Sequence, residues 1–378
     1  MHIVQLMASP FFGGPERQML GLALALPRNY VSIFLSFSER GLCRPLLDEV
    51  RRHGMEAIEL HHNFPDVRRS ACEVAMHLRR TGADVVCCSG YKPDLIGWRA
   101  ARQVGIPVVS VSHGWTGVSL KVRLYEAANR LVLRWMDAIV CVSEGQAAKV
   151  RRTGAPSERI HVIRNAVALE TFGVPQQRYR QELQGFFKTP PRRLVGAAGR
   201  LSPEKGLEKL IDAAALILPE APDTGFVIFG EGPLRPNLTR QIAARGLQNR
   251  VVLPGFRDNL DQYLPHFDVV ALSSYTEGLP VIVLEAFAAR VPVVGTAVGG
   301  VPEVIEHGRS GFVVPPGDAP ALARSILELL RDDERRRAMG QRGRQRVEEQ
   351  FTFAAQAAQY QRLLQQLPEK HGRVARRA

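Results

Sequence analysis

Two carboxylates stand eight residues apart in Glu277-Gly278-Leu279-Pro280-Val281-Ile282-Val283-Leu284-Glu285, with glycine and proline between them. Proline suits the first position of a helix, where its missing N–H costs nothing. Glu277 then falls in the loop before a helix and Glu285 inside it. At about 1.5 Å rise per residue, Glu285 lies roughly 8 Å along the axis from Pro280. Between them, the N–H groups of Gly278, Leu279 and the first turn form an anion site. The stretch thus offers a carboxylate, a phosphate cradle and a second carboxylate. A nucleoside diphosphate-sugar presents sugar, diphosphate and ribose in the same order.

A second set of residues has the charge to meet a diphosphate. Gly199-Arg200-Leu201-Ser202-Pro203-Glu204-Lys205-Gly206 follows the apolar run Leu194–Ala198. Arg200 offers a forked donor and Lys205 a point charge. Gly230-Glu231-Gly232-Pro233 ends another apolar run, and its glycines allow close backbone approach. It is not a dinucleotide fingerprint, because Arg235 stands where the third glycine is needed. Gly255-Phe256-Arg257 marks a further edge loop that could border a nucleobase. Nearer the N-terminus, Gly13 and Gly14 sit where backbone amides could face a phosphate. His113 follows the run 107–111, with Ser143-Glu144 and Asn165 after later runs. No D-x-D and no metal-type spacing of His, Cys and Asp occurs, so no carboxylate-held cation is expected. No G-x-S-x-G or P-loop occurs either, against the common hydrolase and NTPase readings.

These loops need strands to carry them. Short apolar runs at 2–7, 31–36, 57–60, 84–88, 107–111 and 138–142 alternate with amphipathic stretches such as 17–26, 42–53 and 70–81. A second series, 193–198, 225–229, 251–253, 268–271, 292–294 and 312–314, does the same, with 206–218 among its helices. Alternation of this kind calls for parallel sheets covered on both faces. The pattern weakens over 168–192, where Gly173, Pro175, Pro190 and Pro191 mark a linker. The expected class is α/β, two doubly wound domains facing across a cleft. The first spans 1–172 and the second 173–355. Segments 320–331, 333–349 and 352–367 read as closing helices, and 356–378, with its basic tail, is expected to pack back on the first domain.

The chain has 378 residues and a net charge of +13. Residues 1–172 hold 22 Lys/Arg against 15 Asp/Glu and the remainder 28 against 22, so the charge belongs to both halves. Pairs such as Arg68-Arg69, Arg79-Arg80 and Arg151-Arg152 suit an anionic membrane surface or a phosphorylated lipid as they suit solvated helix faces. No reading motif for nucleic acid accompanies them. There is no membrane-length apolar run and no basic segment before the first strand, so a cytoplasmic protein without a secretory signal is expected. The five cysteines read as reduced and packed.

The sequence resembles the family-4 retaining glycosyltransferases of GT-B fold over about residues 1–365. The most specific segment is 273–317, where Glu277 and Glu285 match the family's E-x7-E pair and Gly299-Gly300-Val301-Pro302-Glu303 the following turn. Gly199-Arg200 and Lys205-Gly206 match its diphosphate loop. Gly13-Gly14-Pro15-Glu16 resembles its first-domain glycine loop, with Pro15 a departure, and His113-Gly114 falls where the family has a cleft histidine. The resemblance implies a donor site containing Gly13, Gly14, Gly199, Gly230, Gly278, Leu279, Leu284 and Glu285, the last on the ribose. It assigns Arg200 and Lys205 to the leaving diphosphate, Glu277 to the transferred sugar and His113 to the sugar or its developing positive charge. Retention would proceed by a front-face route in which the departing phosphate takes the acceptor proton. Neither a cofactor nor a metal is implied. The partners would be a nucleotide-diphosphate-sugar donor and a glycan or lipid-linked acceptor of envelope polysaccharide or lipopolysaccharide assembly, with possible peripheral contact at the inner membrane face. Acceptor specificity would lie in loops such as 61–69 and 114–123. A nucleotide-sugar epimerase of the same fold and a non-catalytic nucleotide-sugar-binding scaffold are the alternatives.

Overall fold

The computed structural model describes residues 1–9, 11–115 and 120–367. Residues 116–119 of the expected acceptor loop and the basic tail lie outside them. The chain divides into two compact units, Met1–Asn165 joined by the segment from Phe353, and Ala166–Thr352.

The first unit holds β1 (His2–Met7), β2 (Val31–Phe37), β3 (Glu56–Leu60), β4 (Val85–Ser89), β5 (Val108–Ser112), β6 (Ala138–Cys141) and β7 (Ile160–Val162). They form one sheet in the order β3-β2-β1-β4-β5-β6-β7, with every pair parallel. Successive side chains point to opposite faces, and β1 shows it. Ile3 and Met7 join the core under the helices Gly14–Ala25, Arg44–Arg52 and Phe353–Gln366. Val4 and Leu6 join the core under Val67–Arg80, Tyr91–Val104 and Glu144–Arg151. Burial on both faces explains why these strands read as continuous apolar runs. β3 is interrupted by Glu59, and β7 has only three residues with His161 at its centre.

The last helix, Phe353–Gln366, therefore covers the sheet built by the start of the chain. Ala357, Tyr360, Leu363 and Leu364 are buried in that core. At Gly21 an added Cβ would stand 2.1 Å from Phe353 Cζ, so glycine is the notch that admits the ring.

The second unit holds β8 (Arg193–Ala198), β9 (Thr224–Phe229), β10 (Val251–Gly255), β11 (Val269–Leu272), β12 (Val293–Thr296) and β13 (Gly311–Val314). Their order is β10-β9-β8-β11-β12-β13, again all parallel. In each sheet the order reverses beside its first strand, between β1 and β4 and between β8 and β11. Ligands of open α/β sheets bind at the carboxyl ends of the strands flanking such a point.

The segment 168–192 is not a free linker. It contains the helix Gln177–Gly185, which belongs to the second unit. Tyr179 and Leu183, four residues apart, share one helical face, and Phe187 follows two residues past its end. Leu183 and Phe187 are buried, and Tyr179 meets Tyr263 edge-on at 5.0 Å. The prolines around this stripe hid it. The chain instead leaves the first unit at Asn165 and returns at Phe353. Within the second unit, Val167 N–H donates to Phe351 O at 2.8 Å. Within the first, Gln356 Nε2 donates to Arg164 O at 2.8 Å.

The five cysteines are unbonded, four of them buried. Burial pushes the Cys87 and Cys141 thiols up to about 12, leaving them poor nucleophiles.

Candidate active site

The loop after β8 meets the loop after β11 at the reversal of the second sheet. Lys205 Nζ donates to Glu277 Oε1 at 2.7 Å. The Glu277 side chain is 8% exposed and that of Lys205 26%, so the pair is shielded on the carboxylate side and open on the ammonium side. The same Oε1 accepts from Ser274 Oγ at 2.6 Å. Ser274 is held in turn, since its carbonyl accepts from Thr296 Oγ1 on β12 at 2.6 Å. Ser273 Oγ donates to Lys205 O at 3.1 Å, and Tyr275 N–H to Glu204 O at 2.8 Å. The two loops are thus bound together by backbone as well as by charge.

Glycine is required at two of these contacts. Gly206 has φ +56, and an added Cβ would lie 2.3 Å from Ser273 O. Gly299 has φ +51, and its Cβ would lie 2.0 Å from Glu277 O. Beside it, Gly300 N–H donates to Gly278 O at 2.6 Å. The turn Gly299–Glu303 is therefore the backing against which Glu277 is held.

The helix here runs Val281–Ala288 with Pro280 as its N-cap, one position earlier than expected for the proline. Its first turn has amides without intrahelical acceptors. Glu285 lies partly buried inside it, while Leu284 is wholly buried. Arg200 is exposed and, among the described residues, makes no ion pair. Gly199 and Gly230 abut. A Cβ on Gly230 would come within 1.9 Å of Gly199 O, which fixes the close approach of the loops after β8 and β9.

In the first unit, Gly13 is narrowed in its role. Its N–H donates to Glu16 Oε2 at 3.0 Å, so an internal carboxylate already takes the amide that the sequence reading gave to a phosphate. Burial raises the Glu16 carboxyl above its usual range, against the hydrogen bonds from Ser9 and Gly13 that lower it. Gly14 opens the helix. His113 lies at the carboxyl end of β5 with Nε2 3.0 Å from Ser89 Oγ at the end of β4. Burial pushes its imidazole down to about 4, so it is neutral at physiological pH.

The family description "Glycosyltransferase Family 4" matches residues 12–171, and "Glycosyl transferases group 1" matches residues 180–346. The putative glycosyltransferase EpsD of Bacillus subtilis is 31% identical over 275 residues, 69% of this chain and 71% of its own. The chain belongs to glycosyltransferase family 4. The alpha-D-kanosaminyltransferase of Streptomyces kanamyceticus is 31% identical over 255 residues, 64% of this chain. The match spans 66% of that relative, just under two thirds of its length. Among solved structures, Anabaena Alr3699/HepE in complex with UDP and glucose aligns with TM-score 0.84 and 23% identity, covering 97% of this chain and 100% of that one. That likeness gives this family-4 chain the GT-B fold of two Rossmann-like domains.

Within this family-4 chain, Lys205 and Glu277 stand out in the sequence, but the side chains that hold them do not. Ser274 stands three residues before Glu277, near enough for a hydroxyl to reach a carboxylate across a turn. Thr296 has no such local signal, since its partner is 22 residues away. No group of His, Cys, Asp and Glu among the described residues could hold a metal ion, and none of the described helices is long and apolar enough to cross a membrane.

Proposed function

We propose that the chain transfers a sugar from a nucleoside diphosphate-sugar to an acceptor with retention of configuration and without a metal ion. The observation that carries this reading is the Lys205–Glu277 pair at the reversal point of the second sheet. Lys205 presents its open side, and Arg200 an uncommitted guanidinium, to a diphosphate beside the first turn of the helix Val281–Ala288. Fixed positive charge there stabilises the leaving diphosphate as the glycosidic bond breaks. Glu277, with one oxygen already accepting two bonds, meets the hydroxyls of the transferred sugar with the other. Glu285 accepts from the ribose. Neutral His113 lends a lone pair rather than a proton to the developing oxocarbenium ion. The departing phosphate removes the proton of the acceptor hydroxyl. The complex of HepE with UDP and glucose favours uridine as the donor base here.

The acceptor is a glycan or lipid-linked precursor of a bacterial polysaccharide, reached at the inner membrane face. The net charge of +13 supports this. Sedimentation with anionic vesicles tests it. Binding by the wild type that Arg68→Glu with Arg69→Glu leaves intact would remove these arginines from the contact, and no binding at all would end the membrane reading.

A thermal-shift screen of free nucleoside diphosphates on wild type and Arg200→Ala tests the donor site. A ligand at 100 times its dissociation constant adds about 2.7 kcal/mol. One nucleotide should stabilise the wild type and lose most of its effect on Arg200→Ala. Stabilisation by none, with the protein folded, would leave a scaffold role. Conversion of the donor sugar without any acceptor would identify an epimerase.

A further inference from the structure

The carboxyl edge of the first sheet carries a cluster that the donor site does not use. Lys92, in the first turn of the helix after β4, reaches across β1 to the segments that follow β2 and β3. Its Nζ pairs with Glu39 Oε1 and donates to Asn63 Oδ1 at 2.6 Å. The ammonium also lies 4.7 Å over the Phe37 ring, and the side chain is only 12% exposed. Asn63 Oδ1 accepts a further bond from Phe64 N–H at 2.8 Å. Glu39 and Arg40 both hold left-handed backbone, φ 47 and 61, which non-glycine residues adopt at a cost. That turn sets the Glu39 carboxylate against Lys92.

Beside this cluster lie three aromatic rings. Tyr91 stacks on Tyr125 with centroids 5.5 Å apart and 15° between the planes. Tyr125 meets Phe64 at 5.9 Å. Tyr91 is 40% exposed, so one side of its ring is supported and the rest is open. An apolar C–H face packs on the electron-rich face of such a ring. The carboxylate of Glu39 and the amide of Asn63 supply hydrogen-bonding groups for hydroxyls. Because Lys92 and Glu39 neutralise one another, the cluster does not select net charge. A ring with apolar C–H faces, hydroxyl edges and no charge is a saccharide.

We propose that the Tyr91–Tyr125 shelf with the Lys92–Glu39–Asn63 cluster is the subsite that seats a neutral saccharide unit of the acceptor. This rests on the reading of the chain as a sugar-transferring enzyme with a glycan acceptor and names the side chains that seat one unit of it.

Saturation-transfer NMR on the full chain at saturating UDP tests it, with methyl glycosides of glucose, galactose and N-acetylglucosamine as probes. The nucleotide leaves the sugar pocket beside Glu277 open, so only the signal that Tyr91→Ala or Glu39→Gln diminishes is assigned to the shelf. At least one glycoside should receive saturation from the wild type and from Tyr91→Phe, which keeps the ring. Tyr91→Ala should weaken binding about five- to tenfold, the loss of one aromatic contact. Glu39→Gln breaks the ion pair without touching the shelf and should weaken it too, which serves if Tyr91→Ala does not fold. No signal from any glycoside on the wild type, an undiminished signal on both Tyr91→Ala and Glu39→Gln, or displacement of the glycosides by inorganic phosphate would each overturn the subsite. The thermal shift produced by UDP on the same wild-type sample separates the two readings. Its absence, repeated with every other nucleoside diphosphate, sinks the transferase reading itself, whereas its presence without glycoside binding sinks only the subsite.

Discussion

Lys205 Nζ stands 2.7 Å from Glu277 Oε1, and this bond joins two loops 72 residues apart where the second sheet reverses its strand order. Removing Lys205 leaves the Glu277 carboxylate shielded without its ion-pair partner. Lys205→Ala should cost about 1–3 kcal/mol of stability, because Glu277 keeps only its bond from Ser274. Adding Glu277→Gln to Lys205→Ala should recover part of that loss. Urea midpoints of the wild type, both single variants and the double give the coupling directly. Costs that add to within about 0.5 kcal/mol would show that the pair does not act as a unit.

Gly299→Ala should be worse for activity than its size implies. The new Cβ would need to occupy space 2.0 Å from Glu277 O, and the backbone there is left-handed at φ +51. The neighbour is main chain and cannot rotate aside. Destabilisation of about 2 kcal/mol or more is expected, with loss of turnover as the Glu277 loop moves. Gly308→Ala is the control, since it also has positive φ but no atom within 4 Å of a Cβ. Equal effects from the two would assign the loss to backbone conformation alone.

Two buried groups of the first unit make opposite demands on pH. Asp94 accepts from Ser110 Oγ at 2.8 Å and Asn129 Nδ2 at 2.5 Å on one oxygen, while its other oxygen is buried without a partner among the described residues. Burial raises its carboxyl from 3.8 to about 7. The folded state then holds a proton that the unfolded state releases, so stability falls as pH rises from about 4 to about 7. His113 is lowered from 6.5 to about 4, so its contribution is lost as pH falls across that window. Each slope approaches about 1.4 kcal/mol per pH unit at most. Between pH 4 and 6.5 the two offset one another. Asp94→Asn should therefore lose more stability on acidification than the wild type does, and His113→Asn less. Melting curves from pH 4.5 to 8 that stay parallel in all three proteins would refute the assignment.

The Gly21–Phe353 contact should decide whether the last helix stays on the first sheet. Gly21→Val places atoms where the Phe353 ring lies, and overpacking of this kind costs about 1–3 kcal/mol. Limited proteolysis should then cut near Phe353 before any other site, and Gly21→Val with Phe353→Ala should restore resistance. Early cleavage that the second change does not correct would mean the helix is held elsewhere.

How far the sequence could be read depended on the range of the interaction. Twelve of the strands announced themselves because a strand buried on both faces needs a largely apolar run, which is a local property. β7 has three residues and a histidine in its middle, so it sent no such signal. The helix Gln177–Gly185 was masked by prolines flanking a stripe that is periodic when read alone. The glycine loop at Gly13 is visible in sequence, while the bond from its amide to the Glu16 carboxylate is not.

The sequence by itself determined that there are two parallel α/β sheets, and that Arg200, Lys205, Glu277 and His113 follow strands at their carboxyl ends. These follow from periodicity and from the residues that end a strand or start a helix, all expressed within a few positions. Only the tertiary structure decided the rest. It placed β8 next to β11, so that Lys205 meets Glu277, and brought Thr296 behind Ser274. It gave the helix at the end of the chain to the sheet at its beginning. The physical reason is that strand order and helix docking are chosen by the burial of whole faces, summed over residues far apart in the chain. No short window of sequence contains that sum.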